Sequence, residues 1–183
     1  IRVEGFTSGT CVLAGLHLYL GGVGIEVVTA GVWIADCFIS SCLNTTAGAG
    51  IRVDHSVASI VGNTIATCGR GIEVINNSVC SAWVNEIDNC RASFGGGVIV
   101  ANSRAAIYNN YISRCWDGAI NAGSSSRVAI VGNQMVDGGC WMNAAGINLD
   151  DSKAYVAANW IADSVKSGGA WGAGMYVFRS VAW

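Results

Sequence analysis

Arg2, Glu26, Arg52 and Glu73 stand at matched places in a recurring phrase, Gly-Ile-x-Val and its variants, in which each is the x. Two carboxylates with a guanidinium between them have the makings of a catalytic acid and base, provided that a frame holds them about 6.5–9.5 Å apart, the spacing of inverting hydrolysis. Glu26, Arg52 and Glu73 are therefore catalytic candidates. The same alternation of sign also describes a plain column of ion pairs, worth about 0.2–1 kcal/mol per cross-strand pair. A second set is aromatic: Phe94, Trp116, Trp141 and Trp171 lie just before four successive occurrences of the phrase, near Asp117 and Asp150-Asp151. Sugar rings stack on exposed indoles, so Trp116, Asp117, Trp141 and Trp171 are substrate-binding candidates for a polysaccharide. The same row serves equally well as a lid on a corner of the core.

The elements that position these residues follow from the spacing of the phrase. It starts at Ile1, Ile25, Ile51, Ile72, Val98, Ile120, Ile147 and Met175, so that subtraction gives intervals between 21 and 28 residues. A second phrase follows, as in Val57–Cys68 and Arg104–Cys115, and both phrases alternate apolar with polar residues. Period-two alternation marks strands with one buried face, and the interval is too short for a βαβ unit of about 30 residues. Each repeat is therefore a coil of short strands that must bury its aliphatic face against its neighbours. Parallel stacking at about 4.8 Å makes roughly seven coils into a rod of about 34 Å, and places Glu26 about 9.6 Å from Glu73.

Columns through the coils can be read at fixed offsets. Asn63, Asn85, Asn110, Asn133 and Asn159 share one position, where stacked amides form a ladder that ends near Asn63, because Cys37 and Leu16 take that place in earlier coils. Five residues further on stand Cys42, Cys68, Cys90 and Cys115, with Cys140 displaced. Parallel Cβ vectors suit a disulfide poorly, so these are expected to be small buried thiols. Ser56, Ser78, Ser103, Ser126, Ser152 and Ser180 open the second phrases and are expected to bond turn backbone. Trp83, Tyr108 and Tyr111 point outward with Val61 and Val131, an apolar face suited to a homo-oligomer interface.

Composition sets limits. Of 183 residues 52% are hydrophobic and 12% charged, which excludes disorder; 25 Gly against no Pro means that something other than Pro sets the turns. With a net charge of −2 and ten Lys plus Arg spread singly, no basic patch is visible and nucleic acid is not an expected partner. The uncharged stretch Gly5–Ile25 has the length to cross a bilayer, but the repeat accounts for it as one more coil, so no membrane span is expected. Ile1 begins inside a strand and Val181-Ala182-Trp183 stops within a second phrase, so residues 1–183 are expected to be a single domain with uncapped ends that belong to a longer chain or assembly, strand ends being a further oligomer contact.

Gly-Ile-x-Val followed by Ile-x-x-Asn-x-Ile-x-x-Cys resembles the repeat of the pectate-lyase-like superfamily. The resemblance covers nearly the whole chain and implies an all-β, right-handed parallel β-helix with three sheets. It further implies polysaccharide binding or processing, of lyase, glycoside hydrolase or phage tailspike type, in an extracellular or virion-surface setting. The alternative is a non-catalytic structural solenoid. Of the four polygalacturonase-like motifs only Asp150-Asp151 is present, and the Asp-Pro-His phrase of the epimerases is impossible without Pro. No cofactor or metal is expected. For the calcium of some lyases Glu26, Asp54, Glu73 and Arg52 come closest, without forming a full ligand set.

Overall fold

A computed structural model of the chain describes all residues except 6–10, 20, 44–47, 92–95, 141–144 and 167–173. Among the described residues there is no helix, and three parallel sheets of eight, eight and seven strands run the length of the molecule. One coil shows the plan: Ala49–Asp54 lies in the first sheet, Val57–Val61 in the second and Thr64–Ala66 in the third. Each strand pairs with its counterpart one coil away, so that Ile25, Ile51, Ile72 and Val98 are in register. The uncharged stretch near the start follows the same plan, with strands at Cys11–Ala14, His17–Tyr19 and Val23–Val28. No helix among the described residues is long and apolar enough to cross a membrane.

The second phrase is two strands, not one. Its break is the residue before the Asn position, which is left-handed in every coil: Gly15, Asp36, Gly62, Val84, Asn109, Gly132 and Ala158 have φ between 51° and 68°. A single left-handed residue turns the chain by a corner without Pro. At Val84 the conformation opposes the steric preference of a β-branched side chain, so the stack must impose it.

The core is a set of aliphatic columns. Ile25, Ile51, Ile72, Ile120 and Ile147 from the first sheet, Ile34, Ile60 and Ile130 from the second, and Ile39, Ile65 and Ile87 from the third are wholly buried. Each contributes about 1.5–3 kcal/mol by leaving water. The Gly that opens the first phrase is required by packing: a Cβ on Gly71 would lie 2.6 Å from the carbonyl oxygen of Gly97 one coil on.

All eight cysteines are free thiols, and seven of them are buried. Cys68 and Cys115 donate Sγ–H to the carbonyls of Ala66 and Ser113 at 3.4 and 3.3 Å. Burial pushes the Cys80 thiol up to about 12. The basic residues, spread singly in sequence, are gathered by the stacking: Arg104, Arg127 and Lys153 are register partners at the start of three successive strands of the second sheet. The expectation of no basic patch is thus corrected, because an interval of 23 or 26 residues is one coil.

Candidate functional site

The x positions of the first phrase form one outward column along the first sheet: Arg2, Glu26, Arg52, Glu73, Ile99, Asn121, Asn148 and Tyr176, each in register with the next. Its chemistry changes midway. In the first half the side chains are consumed by one another. Glu26 lies 3.4 Å from Arg2 and 3.7 Å from Arg52, and Arg52 Nε donates to Glu73 Oε2 at 2.6 Å. Arg70 takes the other carboxylate oxygen of Glu73. The stack therefore brings Glu26, Arg52 and Glu73 together as expected, but in a ladder where both oxygens of Glu73 are occupied and the residue is 5% exposed. Arg70 was not foreseen, since it sits outside the x column, three residues before Glu73. Asp54, the remaining acidic neighbour, is bonded to His55 Nδ1 at 2.7 Å and accepts from Asn76 at 2.9 Å.

In the second half the column itself is uncharged and borders a hollow. Asn148 Nδ2 donates to Asn121 Oδ1 at 2.6 Å, and Asn121 Nδ2 donates to the Gly118 carbonyl at 3.3 Å. With Ile99, Asp117 and Asp150 these amides line a cavity of about 170 Å³ on the first-sheet face. Gly118 has φ 111°, a conformation that favours Gly, and a Cβ there would lie 2.6 Å from Asn121 Oδ1 and displace the amides. In register beyond the amides come Tyr176, paired with Asn148, and Phe178, paired with Asp150. Their rings stack at 6.3 Å with 12° between planes. Phe178 is 42% exposed.

Of the aromatic corner foreseen from the sequence, Trp116 is half-buried. Its indole packs where a Cβ on Gly139 would come within 3.3 Å, and the Arg91 guanidinium lies 5.8 Å from its ring centre. The indole thus packs against the next coil and keeps part of its surface in water. Its neighbour Asp117 reaches the cavity. Phe94, Trp141 and Trp171 lie outside the described residues. Asn121, Asn148, Tyr176 and Phe178 were missed, although the x column that flagged Glu73 continues straight into three of them. Trp83 and Tyr108 share an outward column of the second sheet with Val61 and Val131, while Tyr111 belongs to the third sheet.

Residues 49–181 match the family described as the right-handed beta helix region. The chain belongs to the right-handed β-helix family. The match spans more than half of the sequence and supplies the handedness that the alternation of residues alone does not. No curated protein matches the chain. A solved structure of QnrB1, a plasmid-mediated fluoroquinolone resistance protein, is 12% identical over 84% of this chain and 91% of that one, with a TM-score of 0.17, too low to carry any argument. Family membership identifies a β-helix module, and the chemistry has to come from its faces.

Proposed function

We propose that this β-helix module binds carbohydrate on the first-sheet face of its C-terminal coils, at the hollow formed by Asp117, Asn121, Asn148 and Asp150 beside the rings of Tyr176 and Phe178. The single observation that carries the reading is the change along one column from ion-paired charges to amides and then to stacked rings. Amide and carboxylate groups pair with sugar hydroxyls, and an exposed ring covers the apolar face of a sugar. The ladder of Glu26, Arg52 and Glu73 acts here as a strut: two guanidinium groups favour the ionised form of Glu73, and at 5% exposure it has little room to meet a substrate. Binding is therefore favoured over turnover.

A glycan array followed by titration of any hit tests the proposal. Asn148→Ala and Phe178→Ala should each weaken binding about fivefold or more, or about 1 kcal/mol; the thermal midpoint should change little in Phe178→Ala and fall in Asn148→Ala, which also loses the buried bond to Asn121. Full affinity in both variants contradicts the reading. A silent array would favour a structural module, for which the second sheet supplies a flat outer face: Trp33 and Trp83 meet edge to face at 5.5 Å, and Ser59, Ser81 and Ala106 continue the outward row of Trp33.

A further inference from the structure

A different corner of the rod carries charge of one sign. Arg104, Arg127 and Lys153 open successive strands of the second sheet in direct register, with Val79 before them and Val181 after. All three are exposed, and among the described residues none of them forms an ion pair. The coil rise leaves the Cα atoms of these residues about 4.8 Å apart, so their charges share one stretch of surface. Like charges directly opposite one another across strands are destabilising, so the column costs the fold something. The first sheet shows the contrasting arrangement, where Arg and Glu alternate and satisfy each other.

The cations border a depression in two adjoining parts at the turn between the first and second sheets. It consists of two hollows of about 350 and 300 Å³ that share Ser125 and Arg127. Asn102 and Ser125 line it from left-handed corner positions, with φ 49° and 63°. Arg179 lines the hollow at the C-terminal end. One carboxylate is present, Asp151, whose Oδ2 lies 3.2 Å from Ser125 Oγ.

We propose that this groove binds an acidic glycan strand laid along the rod, its carboxylates or sulfates meeting Arg104, Arg127 and Lys153 in turn. A chain of anions relieves the mutual repulsion of the stacked cations, which a neutral ligand cannot do. The hydroxyl and amide groups of the lining, with Asp151 as an acceptor, match the sugar hydroxyls between the charges. Nucleic acid fits less well, because no aromatic ring lines either hollow to stack on a base. The groove and the first-sheet site meet at one contact, the Arg179 guanidinium 4.8 Å from the centre of the Phe178 ring, so the groove is tested at Arg104, Arg127 and Lys153, which take no part in the amide and aromatic face.

Dextran sulfate and uncharged dextran of equal length, titrated calorimetrically at low salt, isolate the charge. Dextran sulfate should bind, more weakly as sodium chloride is added, and dextran should not bind at this groove. The triple variant Arg104→Gln, Arg127→Gln, Lys153→Gln should lose tenfold or more in affinity for dextran sulfate, and Arg127→Gln alone threefold or more. Val12→Thr, at an exposed position of the second sheet four coils from Arg104, should leave that affinity unchanged. The triple variant should unfold at a midpoint equal to or above that of the unaltered protein, since it removes repulsion. Should it fail to fold, Arg127→Gln decides. Dextran sulfate affinity within twofold of the unaltered protein in the variants overturns the proposal, as does tighter binding of a single-stranded DNA of equal charge.

Discussion

Glu73 is nearly buried in a sheet face, and two guanidinium groups make that burial tolerable. Charges withdrawn from water are costly unless paired, and removal of one partner leaves the other stranded. Glu73→Gln keeps size and stacking but leaves Arg52 and Arg70 facing a neutral amide. Because both arginines keep some contact with water, the expected cost is about 1–3 kcal/mol, read as a lower midpoint in denaturant unfolding. An unchanged midpoint would mean that the ladder is no strut and would restore Glu73 as a candidate for chemistry. The alternation of sign in Arg2, Glu26, Arg52 and Glu73 was legible in the sequence because it follows the repeat. Arg70 was not, since it approaches Glu73 from outside the repeating position.

At the scale of the elements, the corner between the second and third sheets is held by side chains instead of Pro. Each Asn amide donates to the Oδ1 of the next: Asn63 to Asn85 at 3.0 Å, and Asn85 to Asn110, Asn110 to Asn133 and Asn133 to Asn159 at 2.9 Å. Each Oδ1 also accepts a backbone N–H from the preceding coil, and the series closes where Cys37 N–H donates to Asn63 Oδ1 at 3.0 Å. Asn110→Ala removes the acceptor of two Asn85 donors and the donor to Ala82, all of them buried. A loss of about 1–3 kcal/mol in unfolding free energy is expected, and a variant as stable as the parent would contradict the ladder's role. The ladder and its end at Asn63 were readable from spacing alone. The split of the second phrase into two strands was not, because Val84 and Ala158 carry no sequence signal for a left-handed backbone, whereas Gly62 and Gly132 do.

At the scale of the whole molecule, stacking converts offsets of one coil into contacts, which makes faces out of residues that are remote in the chain. The sequence announced the outward column but not where its chemistry changes, since Asn121, Asn148 and Tyr176 acquire meaning only beside Asp117, Asp150 and Phe178. It also hid the basic groove, whose members look scattered until register aligns them. One rod thus carries a braced charged stretch, a hollow lined by amides and carboxylates, and a cationic corner. The most direct measurement is a titration of 15N-labelled protein with a neutral oligosaccharide found on the array, following side-chain amide resonances. Those of Asn121 and Asn148 should shift in a saturable way while those of the buried ladder, Asn63, Asn85 and Asn110, stay in place. Saturable shifts confined to the ladder or to the second sheet, with Asn121 and Asn148 unmoved, would contradict a glycan site on the first-sheet face.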